Sequence, residues 1–361
     1  MDGIGERVLE QMRQACPDTR QQDIAREVGM TPDAFSRALR GQRNFSSLEL
    51  ARLADLLDTD LYWLITGEPD PHRLTIAARH DFDHETGDRT VPGRASDEQT
   101  LNDIALAYRQ AYPEPGELRT LPASAEAART ALGPGFVRPF ADRLEQNLDI
   151  DVVRVQELTT AYSFAVGGHR VIAVPATGSW FRENWAMAHE LGHLVLGHHD
   201  DTGTGVPSVH EAAANAFAAD LLLPAETLGS VDWTTVSDTS LADLVWEWGV
   251  SVDALARRLD RLTGTVPSRV RTWAGHPTQR LLRRHWQSNS VIDHITARME
   301  AASRRRFPLL LLERHLARIA TGDIGKNTLA WMLGIDPDAL DVDIPDQPEI
   351  GASELAHGLR H

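Results

Sequence analysis

At 361 residues the chain is long enough for two or three domains, each with a buried core. A hydrophobic content of 42% and a charged content of 24% are typical of soluble proteins, and the sequence has neither a run of 18 apolar residues nor a secretory signal, so no membrane contact is expected. A net charge of −16 argues against a protein that coats nucleic acid, and a single cysteine, Cys16, excludes an internal disulfide and favours the reducing cytoplasm.

The first 67 residues show a pattern of short helices. Apolar spacing predicts helices at 6–15, 21–28, 34–41, 47–57 and 61–65. A threonine, a proline and an aspartate in a row predict the start of the third helix, because threonine caps a helix and proline suits its first position. A helix, a glycine-bearing turn and a second short helix are typical of a helix-turn-helix.

Two short motifs in this region resemble the Cro/repressor-type (XRE) family over residues 5–66. They are Gln-x-x-Ile-Ala at 21–25 and Phe-Ser-Arg-x-Leu-Arg-Gly at 35–41. The resemblance implies that the second helix of the motif enters the major groove of double-stranded operator DNA. The side chains expected to contact bases or phosphates are Gln21, Gln22, Ser36, Arg37, Arg40 and Arg43.

The charge of residues 1–67 limits this interpretation. Eight arginines and eleven acidic residues give a net charge of −3, so few phosphates are neutralised. We therefore expect low non-specific affinity, and tight binding would require a homodimer. A helix-turn-helix that contacts only other proteins is the alternative.

Residues 68–100 are polar and rich in turn formers, and they predict a linker. Helical patterns return in a connector at 101–149. Further on, two apolar stretches at 161–166 and 169–175 flank two glycines, which predicts a β-hairpin with a two-residue turn.

The stretch 185–199 contains His189-Glu190-x-x-His193 between apolar residues at helical spacing. Positions i and i+4 share one face of a helix, so His189 and His193 can bind a single ion. Glu190 lies next to them and can reach a water on that ion without being a ligand. Zinc lowers the pKa of such a water and the glutamate takes its proton, so the pattern predicts a Zn²⁺-dependent hydrolase.

A catalytic zinc site needs a third protein ligand. The next predicted helix, 208–222, places Glu211 on an apolar stripe, where a carboxylate is costly to bury unless it binds a metal. Asp220 lies half a turn round and faces the other way. Asn215, one turn after Glu211, can orient a ligating histidine. An acidic residue favoured only by the helix dipole is the alternative for Glu211.

Both segments together resemble the ImmA/IrrE family of bacterial zinc metallopeptidases, over about 150–265. The motifs are Ala-His-Glu-Leu-Gly-His-Leu-Val-Leu-Gly-His at 188–198 and Glu-x-x-Ala-Asn-x-Phe-Ala-x-x-Leu-Leu-x-Pro at 211–224. The resemblance implies a zincin-like domain that cleaves a repressor protein to switch transcription. It also implies His189, His193 and Glu211 as ligands, with Glu190 as general base. One departure is Trp-Ala-Met-Ala before the first motif, where the family more often has Phe and Thr.

The hairpin has two interpretations in such a domain. An edge strand beside the site can hold an extended peptide by strand addition, or the hairpin can simply cover one side of the core. Tyr162, His169 and His210 are three candidates for stabilising the oxyanion, and the sequence does not choose among them. His198 and His199 are interpreted as residues of the helix end.

The remaining chain predicts more helix. Residues 241–259 are strongly amphipathic, and 266–340 are a helical region that we interpret as a sensor or a dimerisation element. Residues 341–361 are acidic and contain prolines, which predicts disorder.

The predicted fold is multidomain and mainly α. An all-α helix-turn-helix domain (1–67) precedes an α+β zincin-like metallopeptidase domain (150–265) and a helical C-terminal region (266–340). The function predicted is a bacterial DNA-binding regulator with zinc endopeptidase activity against a repressor or antitoxin-like partner. The alternative is an XRE-type transcription factor whose peptidase-like domain is a weak or inactive sensor. Glu190 favours the enzyme, because only an enzyme needs a base there.

Overall fold

The structure, a computed structural model, divides into two compact units, residues 1–73 and 74–361. The predicted disorder at 341–361 falls, except for 341–343, outside the described residues, as does His199. Within the described part of the chain, no helix is both long and apolar enough to cross a membrane. The structure describes residues 3–17, 19–57, 59, 61–68, 75–78, 81–82, 89–90, 94–114, 116–198, 208–287 and 291–343.

The first unit has helices at all five predicted places. Thr31 caps the third helix by accepting a hydrogen bond from the backbone N–H of Ala34 at 3.3 Å, and proline follows at the first helical position. The core of this unit is built on Val8, Phe35 and Leu53, which are fully buried. The helices are α1 (Ile4–Ala15), α2 (Gln21–Glu27), α3 (Pro32–Leu39), α4 (Ser47–Leu56) and α5 (Leu61–Thr66).

The second unit is organised around a four-stranded sheet in the order β1 (Thr75–Ala78), β5 (Tyr162–Val166), β6 (His169–Pro175) and β4 (Ile150–Val155). β5 pairs antiparallel with β6, β4 pairs parallel with β6, and β1 pairs antiparallel with β5. The β5–β6 hairpin turns at Gly167 and Gly168, both with positive φ, as the sequence predicts. A separate antiparallel pair consists of β2 (Asp81–Phe82) and β3 (Arg89–Thr90).

Four of these strands are not predicted by the sequence. β1, β2 and β3 lie in the stretch predicted as linker, and their two to four residues are too few to show an alternating pattern. β4 is buried at five of its six positions, so it lacks the alternation of a half-exposed strand. The predicted linker also contains the start of a long helix, α6 (Arg94–Ala111).

Helices cover both faces of the sheet. One face packs against the helix that carries the histidine motif, through residues such as Ile150, Val152, Ile172 and Val174. The opposite face packs against α6 and two C-terminal helices. The further helices are α7 (Ala125–Leu132), α8 (Phe140–Leu148), α9 (Trp180–Leu196), α10 (Ser208–Leu222), α11 (Ala225–Gly229), α12 (Asp238–Trp248), α13 (Val252–Thr263), α14 (Ser268–Ala274), α15 (Thr278–His285), α16 (His294–Ser303), α17 (Leu309–Ala320) and α18 (Asn327–Leu333).

The C-terminal helices pack onto the sheet rather than forming a separate body. Arg154 on β4 is 8% exposed, and its Nε donates to Glu183 Oε2 on α9 at 3.0 Å. Its Nη1 donates to the carbonyl of Ala301 on α16 at 2.9 Å. The backbones of Arg154 and Arg306 exchange two hydrogen bonds of 2.8 and 2.9 Å. The buried guanidinium therefore links the sheet, α9 and the C-terminal helices.

Replacing Glu183 by Gln should destabilise the chain by about 3–5 kcal/mol, because Arg154 would keep its buried charge without a carboxylate partner. Urea denaturation of the full chain measures the change. The matched control is Glu157→Gln, which breaks the ion pair of Glu157 with Arg305. Because Glu157 is 47% exposed, this change should lower the free energy of unfolding by about 1 kcal/mol or less. Equal losses for the two variants would contradict the linking role of Arg154.

Candidate metal centre

The histidine motif lies on α9, which packs against one face of the sheet. Every residue from Met187 to Leu194 is buried, so this helix is enclosed on all sides. It ends at Gly197, whose left-handed φ of 69° allows the chain to turn back. His189, Glu190 and His193 are at most 1% exposed. Because two histidines one turn apart share a face, both imidazoles point to the same side of the helix.

A close approach between α9 and α10 brings the third donor to the histidines. A Cβ atom on Gly192 would lie 3.2 Å from the backbone of Ala214, so only glycine fits this crossing without a shift. Glu211 Oε2 lies 3.3 Å from His189 Nε2, and Glu211 Oε1 lies 3.4 Å from His193 Nε2. The two Nε2 atoms are 3.1 Å apart.

These three donors fit a zinc ion. Ligands of a tetrahedral zinc, each about 2.0–2.2 Å from the metal, lie about 3.4 Å from one another, which is close to the distances found here. Glu211 Oε1 is buried and makes no hydrogen bond within the described residues, so it lacks a partner that a cation would supply. Among the described residues, His189, His193 and Glu211 form the cluster whose donor atoms can hold a metal.

The charge state of the cluster also suits a cation. Burial raises the pKa of Glu211, but the contacts with His189 and His193 outweigh it and hold the pKa at about 2. Burial, together with the neighbouring His210 and His193, lowers the pKa of His198 to about 4, so this ring is neutral at pH 7. The centre therefore presents a carboxylate beside a neutral outer imidazole.

Both histidines of the cluster are held by a second side chain. Asn215 Oδ1 lies 3.2 Å from His189 Nδ1, the contact expected of a residue that orients a ligand. His198 Nδ1 lies 3.1 Å from His193 Nδ1, and the His198 ring stacks on His210 with centroids 4.1 Å apart. The sequence predicts for His198 only a place at the helix end. Gly197 is the sequence feature that indicates its contact with His193, because a glycine there permits the turn that brings His198 back to His193.

Glu190 contacts a serine that the sequence interpretation did not single out. Ser163 Oγ donates to Glu190 Oε2 at 2.7 Å, and both residues are fully buried. Ser163 lies on β5 beside Tyr162, and consecutive residues of a strand face opposite sides of the sheet. The hydroxyl of Tyr162 accordingly donates to Asp97 at 2.7 Å, away from Glu190.

The other two oxyanion candidates lie in different places. The ring of His169 packs against that of Tyr112, with centroids 4.0 Å apart and planes tilted by 31°, on the Tyr162 side of the sheet. His210 precedes Glu211 on α10, and its buried Nδ1 makes no hydrogen bond within the described residues. Of the three candidates, His210 is the one that lies beside the donor cluster.

In the first unit the predicted DNA contacts fall into two groups. The first is exposed or half-buried and consists of Gln21, Gln22, Ser36, Arg37 and Arg40 on α2, on α3 and at the end of α3. The second is Arg43, whose guanidinium donates two hydrogen bonds of 2.8 and 3.1 Å to Glu49. Arg37 of the first group is also paired, since its Nη2 lies 3.0 Å from Asp33 Oδ2. Glu49 also belongs to the cap of α4, so Arg43 has a partner inside the unit, and its contact with DNA stays a prediction.

β4, β5, β6 and the two helices that carry the three donors all lie within residues 150–222. Residues 145–260 match the family model described as the IrrE N-terminal-like domain, Peptidase_M78. This match supports the predicted resemblance of this segment to the ImmA/IrrE family, while the XRE resemblance of residues 5–66 stays a prediction. No curated protein and no solved structure matches the chain.

The purified chain should contain one zinc ion, and Glu211→Ala should lower the zinc content at least tenfold because one of three ligands is lost. Plasma emission spectroscopy on protein prepared without chelators gives the content. Glu226→Ala, at an exposed position on α11, is the control and should keep its zinc. Retention of zinc by the Glu211 variant would rule out this carboxylate as a ligand.

Replacing His198 by Ala should weaken zinc binding about 10–100-fold, because His193 would lose the side chain that orients it. Competition with a chromogenic chelator measures the affinity. His276→Ala, at an exposed position outside the centre, should leave the affinity unchanged. An unchanged affinity for the His198 variant would show that this contact does not support the ligand.

Proposed function

We propose that the chain is a transcriptional regulator that joins an operator-binding unit to a zinc endopeptidase, and that the endopeptidase cleaves a repressor or antitoxin-like partner. The observation that carries the proposal is Glu190, a fully buried carboxylate adjacent to a three-donor cluster of which it is not a member. Structural zinc sites use four protein ligands, whereas catalytic ones use three and leave a position open. A three-donor cluster with an adjacent carboxylate matches the catalytic kind.

The residues have distinct roles in peptide hydrolysis. Zinc, when bound, supplies the Lewis acidity that activates water and polarises the scissile carbonyl. Glu190 accepts a proton from the attacking water and returns it to the leaving amine. Ser163, which donates to one carboxylate oxygen, holds Glu190 in position. To His210, whose ring stacks on that of His198, we assign the stabilisation of the oxyanion.

The DNA-binding part of the proposal rests on the first unit. Arg37 and Arg40 are exposed, one on α3 and one just after it, and Gln21 and Gln22 are exposed at the start of α2. Arginines in such a position can contact guanine or phosphate. The net charge of −3 over residues 1–67 favours binding as a homodimer, since one copy neutralises few phosphates.

Glu190→Gln should keep zinc and fold but reduce proteolysis at least 100-fold, because the amide cannot accept the proton. Wild-type and variant chains are incubated with a cell extract from the source organism, and new protein N-termini are identified by amine labelling. Glu226→Gln is the control and should cleave like the wild type. Equal cleavage by the Glu190 variant would exclude this mechanism.

A further inference from the structure

β5 has a neighbour on the side where a peptide substrate would be expected to pair. Without β1, β5 would be the outer strand of the sheet, and the N–H and C=O groups along its edge would be open to another strand. β1 pairs antiparallel with this edge along four residues, from Thr75 opposite Ala165 to Ala78 opposite Tyr162. A segment of the chain itself therefore occupies the edge.

The occupied edge is next to the proposed catalytic carboxylate. Ser163 on β5 donates to Glu190 at 2.7 Å, and Ala77 of β1 is its partner in the strand pairing. Opposed residues of antiparallel strands have Cα atoms about 4.5–5.5 Å apart. The main chain of β1 thus passes one strand spacing from the residue that holds Glu190.

Only one strand can pair with a given edge. Extended peptides bind by adding a strand to an open sheet edge, where main-chain hydrogen bonds give affinity and alternate side chains give specificity. A substrate that reaches Glu190 in this way must first replace β1. Because β1 belongs to the same chain, its effective concentration at the edge is high and a free peptide competes poorly.

We propose that β1 is an internal pseudosubstrate, which holds the peptide-binding edge of β5 and keeps the peptidase closed until it is displaced. The proposal rests on the peptidase function proposed above and adds its regulation. β1 is Thr-Ile-Ala-Ala, without a charged residue, so the substrate segment that replaces it should also be extended, uncharged and of small or β-branched residues. In the sequence, β1 directly follows the first unit, so a change in that unit can displace β1 from the edge of β5.

A double proline variant, Ile76→Pro with Ala77→Pro, tests this in the full chain. Consecutive residues of a strand direct their N–H groups to opposite sides, so either the N–H of residue 76 or that of residue 77 faces β5. Proline has no N–H, so the double variant removes the hydrogen bond that this group donates to β5. Glu190→Gln is included in all chains to prevent cleavage. The probe is a fluorescein-labelled peptide of residues 73–80, Arg-Leu-Thr-Ile-Ala-Ala-Arg-His, and binding is measured by fluorescence anisotropy.

The proline variant should bind the peptide at least tenfold more tightly than its parent. The matched control, Ile76→Val with Ala77→Val, keeps both N–H groups and strand propensity and should bind like the parent. If circular dichroism shows that the proline variant does not fold, a second variant replaces residues 75–78 by Gly-Ser-Gly-Ser, which removes the strand preference. This variant should also bind the peptide at least tenfold more tightly than the parent. Equal affinities, or no binding to any chain, would overturn the proposal.

The zinc content of the same samples separates the two proposals. Zinc present together with equal peptide affinities would refute the pseudosubstrate role and leave the peptidase proposal intact. Zinc absent from all these chains, and from wild-type protein prepared in parallel, would refute the peptidase proposal itself.

Discussion

The close crossing of α9 and α10 is the constraint on which the rest of the structure depends. The three candidate ligands come from two helices, and their mutual distances of 3.1–3.4 Å are set by how near the helices approach. Gly192 and Ala214 form the contact, and a Cβ on Gly192 would lie 3.2 Å from the Ala214 backbone. Because metal ligands tolerate little displacement, a larger residue here would disturb the donors without changing any of them.

The buried charges explain why the second unit needs its C-terminal helices. Glu190 and Glu211 lie in or beside a helix that is enclosed in the core, where isolated carboxylates are costly. A bound cation and the Ser163 hydroxyl offset that cost, but only if α9 is held firmly. The buried contact of Arg154 with Glu183 and with the carbonyl of Ala301 fixes α9 to the sheet and to α16. What the sequence presents as a separate C-terminal region therefore supports the centre.

The sequence predicted those parts of the centre that depend on local periodicity. His189, His193, Glu211 and Asn215 could be placed because helical spacing decides which side chains share a face. Ser163, His198 and β1 could not, since each depends on tertiary structure: the facing of a strand, the turn after Gly197, and pairing between distant segments. The pairing of Arg43 with Glu49 also depends on tertiary structure, because it forms only once α4 is packed.

The central claim is that His189, His193 and Glu211 hold a zinc ion beside Glu190. The most direct measurement is an anomalous difference map from crystals of the full chain, recorded on both sides of the zinc absorption edge. The account predicts one peak within about 2.0–2.2 Å of both Nε2 atoms and of a Glu211 oxygen. Crystals grown with zinc that show no peak at these atoms, or a peak bound only elsewhere, would contradict it.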